Sequence, residues 1–301
     1  MDYTRTTEEK VKREVEEAMK SGVPIVGLDL FDSVDNLKIN DTNKNGAMYT
    51  IDLYREYLQD LKTLPEKLYN QFLKTLKHAD VLDNQLVENE NSFLIALYRS
   101  SHTKSAIDSL IATYGEEMSK EDFVKYHDFL LKGTSSEDKT GLRTNNYKFV
   151  GSVDNGIRKI QYFPILEENI DAAITKFLNY YNSNIGNIQE DYDVIIRPII
   201  YHGLIATLQL FNDGNTRYSR LIQHINIWGL MNQLDNEKTE LPIVYATRQY
   251  FAVRDDYRKF IMNIAMNKED AWNDWIRFNL RSIQNNIYLN ENNINTLRRK
   301  M

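Results

Sequence analysis

Apolar residues recur three and four positions apart along most of this 301-residue chain, and this spacing constrains the fold more than any other feature. One clear run holds Ile196, Ile199, Ile200 and Leu204, which share one face of an α-helix. Only 5 prolines and 12 glycines interrupt the chain, and the alternation typical of strands is rare. The pattern therefore predicts a mainly α-helical protein.

Helix start and stop signals divide the chain further. Cap-type residues near Thr6 begin a first helix, and Gly22 ends it. Two polar segments, 32–48 and 133–141, are expected to be loops. The remaining helices are predicted at 50–62, 65–80, 86–115, from Ser119 or Asp122 to Leu131, and at 167–183, 191–208, 216–230, 243–266 and 269–288.

One β element interrupts the helices. The extended runs 147–153 and 158–165 flank the turn signal Asp154-Asn155-Gly156. We therefore expect a single small β-hairpin.

Composition excludes several classes of protein. The net charge of −6 disfavours a general nucleic-acid binder, which needs a basic excess. The chain has no cysteine, so thiol nucleophiles, disulfides and Cys-ligated metals are excluded. The five histidines are scattered without metal-site spacing, so a His-based metal site is not expected.

Membrane and export signals are also weak. The most apolar stretch, 194–211, carries Arg197, Pro198 and His202 and is too short and too polar for a membrane span. The N-terminus alternates charges and lacks the apolar core of a signal peptide. We expect a cytoplasmic protein, and a route of export that needs no cleaved signal stays open.

The segment 209–220, QLFNDGNTRYSR, carries the clearest chemistry. Gly214 and Asn215 tolerate left-handed backbone, so neighbouring N–H groups can converge on an anion at a helix N-terminus. Arg217 and Arg220 lie one turn apart and suit a polyphosphate, while Asp213 is one hard oxygen ligand for Mg²⁺. The alternative is an ordinary helix–loop–helix turn whose arginines pair with surface carboxylates.

This segment resembles the Fic (Fido) signature H-P-F-x-(D/E)-G-N-G-R-x-x-R. Fic proteins generally transfer AMP from ATP to a hydroxyl of another protein, and relatives transfer other nucleotides or phosphocholine, or phosphorylate. The flanking segments resemble the family too: IIRPIIYHGLIATLQLF before the motif, Gly141 and Arg143, the flap hairpin RKIQYFPI, and a closing helix at Trp275. The match is carried by Phe211, Asp213, Gly214, Asn215, Arg217 and Arg220.

The resemblance implies a helical Fic fold over 86–290 behind an N-terminal helical extension over 1–85. It implies that the protein uses ATP or another nucleotide donor, and that Asp213 binds Mg²⁺. Arg217 and Arg220 would bind the β and γ phosphates of the donor, and Phe211 would be a further residue of the nucleotide-binding site. Backbone N–H groups of Gly214, Asn215 and Thr216 would cradle phosphate. His202 is expected to be a packing residue.

Three motif positions differ from the signature: Gln209 replaces the general-base histidine, Leu210 the proline, and Thr216 the second glycine. A glutamine amide accepts a hydrogen bond but no proton, so general-base catalysis, typically worth about 10²–10⁴ in rate, would be lost. Three interpretations remain open. They are a weak or altered transferase in which Gln209 orients the acceptor, a catalytically inactive nucleotide-binding pseudoenzyme, and a protein-interaction module.

Two further features of the family concern inhibition and docking. An inhibitory helix, (S/T)-x-x-x-E-(G/N), has no full match: Thr4 and Glu8 have the spacing only. In an alignment through Ser100 and Ser101, Lys104 takes the glutamate position; alternatively, 86–110 is simply a core helix.

The flap hairpin is expected to dock a protein acceptor by main-chain pairing. Tyr162 and Phe163 would form part of its edge, where Pro164 removes one donor. Alternatively, the hairpin only covers the core.

Overall fold

The computed structural model describes residues 3–87, 106–132, 136–154, 157–235 and 238–299. Over these ranges the chain is mainly helical with one small hairpin, which confirms the predicted fold class. The helices are α1 (Tyr3–Lys20), α2 (Asp29–Asp35), α3 (Asp41–Lys62), α4 (Glu66–Val87), α5 (106–112), α6 (Lys120–Leu131), α7 (Ile170–Asn184), α8 (Asp193–Leu208), α9 (Asn215–Leu234), α10 (Thr247–Ala252), α11 (Arg254–Ala265) and α12 (Ala271–Arg298).

The loop predicted over 32–48 is wrong. Helix α2 reaches Asp35, and α3 begins at Asp41. The side-chain oxygen of Asn40 accepts a hydrogen bond from the Asn43 N–H at 2.9 Å. An asparagine-rich segment that resembles a loop therefore contains a helix N-cap.

The predicted helix over 243–266 is two helices. Val253 has the non-helical angles φ −125° and ψ 43°, and it separates α10 from α11. Helix α12 also runs ten residues beyond the predicted end at 288. Its last turn is held by Arg298, which donates to the Asp60 carboxylate of α3 at 2.6 Å.

Helix α8 forms the centre of the core and packs most extensively against α9. Its residues 194–208 are all buried. A side chain at Gly203 would lie 2.6 Å from the ring of Trp272, so glycine permits α12 to approach closely. Trp275 of α12 donates its ring N–H to the Ile199 carbonyl at 2.9 Å. No helix in the described part of the chain has the length and apolar character of a membrane span.

The N-terminal helices pack onto the same core through α12. Asn43 of α3 donates to the backbone carbonyl of Asn273 at 2.8 Å, and Gln284 donates to Thr50 at 2.9 Å. The division at residue 85 stays a prediction. Contacts between α3 and α12 cross it.

The hairpin pairs β1 (Val150–Asp154) with β2 (Ile157–Tyr162) in antiparallel register, with Gly151 opposite Ile160. Its predicted turn residues, 155 and 156, lie outside the described ranges. Beyond β2, the Phe163 N–H donates to the Pro24 carbonyl at 2.8 Å, and the Val26 N–H donates to the Phe163 carbonyl at 2.9 Å. The N-terminal extension thus adds a short pairing segment to the end of the hairpin.

Candidate functional site

The connection between α8 and α9 is the motif loop, residues 209–214. It begins at Gln209 and ends at Gly214, and both have left-handed backbone, with φ of 51° and 75°. A Cβ on Gly214 would lie 2.9 Å from Leu131 and 3.1 Å from the His127 ring. Glycine is therefore required here both by the backbone angle and by the close approach of α6.

Asn215 and Phe211 stabilise the motif loop from inside. The Asn215 side chain accepts from the Phe211 N–H and donates to the Phe211 carbonyl, each at 2.9 Å. The Phe211 ring is fully buried. The structure thus explains both side chains by loop conformation, and only the backbone of Asn215 can serve a ligand.

Arg143 connects the motif loop to the ends of the hairpin. Its backbone N–H donates to the Leu210 carbonyl at 3.0 Å, and its guanidinium donates to the carbonyls of Gln209, Asn145 and Ile165. Burial lowers the pKa of this group below its ordinary value, against the opposing charges of nearby glutamates. The Gly-x-Arg segment found in the sequence therefore holds the motif loop against the residues that flank the hairpin.

Asp213 is held as a carboxylate. The Ser136 hydroxyl donates to one of its oxygens and the Gly214 N–H to the other, both at 2.6 Å, and Arg217 lies 3.5 Å away. Burial raises the pKa of Asp213, but these hydrogen bonds and the charges of Arg217 and Lys148 outweigh it and lower the pKa below its ordinary value.

The donor set of Asp213 fits a single contact to Mg²⁺. The carboxylate is ionised, about a third of its side chain is exposed, and it lines a cleft. In the described part of the chain no cluster of three or more His, Asp or Glu could hold a metal by itself. A magnesium ion would therefore need phosphate oxygens and water as its other ligands.

The cleft has a volume of about 580 Å³, a size that suits a nucleotide-sized ligand. The motif loop and the first turn of α9 form one wall through Gln209 and residues 213–216. Lys148 and Phe149, at the base of the hairpin, and one face of α11 line it as well. The structure thus brings together Gln209, Asp213, Gly214, Asn215 and Thr216 in the lining of one cleft.

The two motif arginines are placed differently from the prediction. Arg217 is only 6% exposed and forms an ion pair with Asp213, while Arg220 is completely buried. Neither is among the residues that line the cleft. The cations that do line it are Lys148, Arg254 and Arg258, which sequence reasoning missed. The RDDYR spacing of 254–258, with two arginines one turn apart, was the available signal.

Gln209 is the first residue of the motif loop, and a hydrogen bond orients its side-chain amide. The Nε2 group donates to the Ala206 carbonyl at 2.7 Å. None of the described residues donates a hydrogen bond to its Oε1. The side chain therefore presents a hydrogen-bond acceptor to the cleft, with no proton-accepting nitrogen.

Neither His202 nor His224 is available to replace the missing base at Gln209. His202 is fully buried, with its ring nitrogens facing Gln223 at 2.5 Å and the Tyr257 hydroxyl at 2.8 Å. His224 is also buried, and its Nε2 accepts from the Ala246 N–H at 3.1 Å. His202 is thus a packing residue, as expected.

The expected docking edge at Tyr162 and Phe163 requires correction. Both side chains are completely buried, and the backbone of Phe163 is paired with Pro24 and Val26. That edge is closed because the N-terminal extension occupies it. The inhibitory-segment alignment at Ser100, Ser101 and Lys104 lies outside the described residues, as do the side chains of 4–8.

Comparisons with known proteins agree with this architecture. Residues 117–227 match the model of the Fic/DOC family. The chain is similar in structure to a Fic family protein from Desulfovibrio desulfuricans G20, with a TM-score of 0.62, 14% identity, and coverage of 84% of this chain and 74% of that one. It is also similar to Fic-1 from C. elegans, with a TM-score of 0.53, 14% identity, and coverage of 86% and 73%. At this identity the likeness shows the fold.

Proposed function

Residues 117–227 form a Fic/DOC-family domain, and from this premise we propose that the protein is a Fic-type transferase. It moves AMP or another phosphate-linked group from a nucleotide donor to an acceptor. The observation that carries the proposal is the first turn of α9, whose residues 214–216 line the cleft beside the ionised Asp213. The positive end of the helix dipole favours a phosphate at that position.

The residues divide the work as follows. Backbone N–H groups of Asn215 and Thr216 bind the donor phosphate, while the Gly214 N–H donates to Asp213. Lys148 adds positive charge. Asp213 holds Mg²⁺, which supplies charge neutralisation of the phosphates when bound. Arg217 supports the site from beneath by orienting Asp213, and Arg220 contributes its charge from within the core.

Gln209 orients the acceptor through its Oε1. A hydroxyl that donates to this oxygen is positioned, but it keeps its proton until another group removes it. Transfer to an alcohol is therefore slow. An acceptor that is already ionised, such as a phosphate or carboxylate, escapes this limitation.

A catalytically inactive nucleotide-binding regulator is the second candidate. It is favoured by Gln209, whose amide stands at the general-base position of the motif and accepts no proton. Both functions require nucleotide binding in the cleft, whereas a protein-interaction module does not.

Calorimetric titration with ATP and Mg²⁺ tests the shared requirement. The variant Thr216→Glu places a negative charge at the second residue of α9, where the helix dipole favours it but a phosphate does not. Thr42→Glu is the matched control, because exposed Thr42 is the second residue of α3.

We expect the wild type and Thr42→Glu to bind with equal affinity and Thr216→Glu to bind at least tenfold more weakly. Equal binding by both variants would place the nucleotide elsewhere. Absence of binding at millimolar ATP would overturn both nucleotide-dependent functions.

A further inference from the structure

One face of α11 forms a wall of the cleft. Arg254, Tyr257, Arg258 and Ile261 all line it, and their spacing of three, four and seven places them on a single helix face. Tyr257 and Ile261 are buried, Arg254 is half-buried, and Arg258 is exposed. The two arginines are therefore the more exposed residues of this face, and its two other residues are buried.

This face is held rigidly by the core. The Tyr257 hydroxyl contacts the His202 ring at 2.8 Å, and its own ring packs against Trp275 with centroids 5.8 Å apart. Both arginines also interact with other groups of the chain. The position of α11 against α8 and α12 is thus defined by Tyr257.

Helix stability does not explain these cations. Arg254 lies in the first turn of α11, where the helix dipole disfavours positive charge. Asp255 and Asp256 are the residues that suit this first turn, and both are exposed and away from the cleft lining. In the first turn of α11, Arg254 thus lines the cleft, and Asp255 and Asp256 do not.

The remaining lining indicates what the cleft accepts. The first turn of α9 attracts one anion, and Phe149 and Val150 supply apolar surface. Two guanidiniums on another wall suit a second anion, because guanidinium groups pair well with phosphate and carboxylate. The motif arginines do not serve this purpose at the surface, since Arg217 and Arg220 are buried.

We propose that Arg254 and Arg258 form a second anion subsite of the cleft. It binds a phosphate or carboxylate group on the same donor molecule whose reactive phosphate lies at the N-terminus of α9. The proposal rests on the function proposed above and narrows its substrate class. The donor is a nucleotide that carries an additional anionic group apart from its 5′-phosphate chain.

Matched ligands and matched variants test the subsite by calorimetry. AMP and adenosine 3′,5′-bisphosphate differ by one phosphate, and Arg254→Gln/Arg258→Gln removes both charges. Lys259→Gln is the control, because Lys259 is an exposed cation of α11 that does not line the cleft. Thermal unfolding verifies that each variant is folded.

We expect the wild type and Lys259→Gln to bind the bisphosphate about tenfold more tightly than AMP, the ratio expected from about 1.4 kcal/mol. The double variant should bind both ligands with the affinity of AMP. Equal wild-type affinities would overturn the subsite and leave the nucleotide site intact, as would an equal loss for both ligands in the double variant. Failure of the wild type to bind either ligand would overturn the proposed function and the subsite together.

Discussion

The imidazole of His127 lies face to face with the ring of Phe211, with centroids 3.7 Å apart and planes within 5° of parallel. The same imidazole donates from Nε2 to the Asp213 carbonyl at 2.7 Å. One side chain of α6 therefore contacts the motif loop both by stacking and by hydrogen bonding. The loop that carries the candidate metal ligand is positioned by a helix almost ninety residues earlier in the chain.

Gly214 lies where the packing of α6 against the motif loop leaves no space for a side chain. We expect Gly214→Ala to destabilise the protein by about 3 kcal/mol, since left-handed backbone costs about 1–2 kcal/mol and the new Cβ meets Leu131 and His127. Gly186→Ala is the control, because Gly186 has φ 71° and its nearest neighbouring atom lies 3.9 Å away. Urea unfolding of both variants separates the cost of left-handed backbone from the cost of the steric contact with Leu131 and His127. Equal losses of stability in the two variants would show that α6 moves to accommodate the new Cβ at no cost in free energy.

The amide of Asn215 is expected to be indispensable for the loop conformation. Asn215→Ala leaves the buried N–H of Phe211 without a partner and leaves its carbonyl with Lys148 alone, which we expect to cost about 2 kcal/mol. Asn212→Ala should cost less than about 1 kcal/mol, because its two contacts are 3.4 Å long and partly exposed. Chemical unfolding measures both values, and similar costs would contradict the structural role of Asn215.

Stability should fall as the solution becomes mildly acidic. Burial, followed by the charge of Arg220, lowers the pKa of His202 well below its ordinary value of 6.5. The unfolded chain therefore binds a proton below pH 6.5 that the folded chain does not, so stability is lost as pH falls. We expect the titration of His202 to lower the free energy of unfolding by about 1.4 kcal/mol between pH 7.5 and pH 5.5.

The test compares urea unfolding at these two pH values for the wild type and His202→Gln. The variant should lose about 1.4 kcal/mol less than the wild type across the interval, whatever its stability at pH 7.5. His127, whose pKa burial also lowers, contributes in the same direction and remains in both proteins. An identical pH dependence would show that His202 is not the titrating group.

Restoring a base should reveal whether the rest of the site is competent. Histidine tolerates the left-handed backbone at position 209 better than most residues, so Gln209→His should fold. We expect label transfer from ATP to protein to rise by about 10²–10⁴. Gln209→Asn, which also tolerates this backbone but accepts no proton, is the control. No gain with histidine would place the defect deeper in the loop, with Leu210 the first suspect.

Local sequence signals predicted much of the site. Gln209, Asp213, Gly214 and Thr216 share one surface, because six residues of loop between two helices leave few other arrangements. The hairpin was also predicted from its own residues. Helix ends at Asp41 and Val253 were missed, since an asparagine cap resembles a loop and a single non-helical residue does not interrupt apolar spacing.

The sequence by itself determined the helical fold class, the hairpin and the motif loop, because each depends on residues close together in the chain. Only the tertiary structure decided that Arg217 and Arg220 are buried and do not line the cleft, that Arg254 and Arg258 line it, and that Phe163 is paired with Pro24 and Val26. These features depend on which helix faces meet in the core. The spacing of residues along the chain predicts which of them share one face of a helix. Packing against distant elements decides whether a charged side chain on that face reaches solvent.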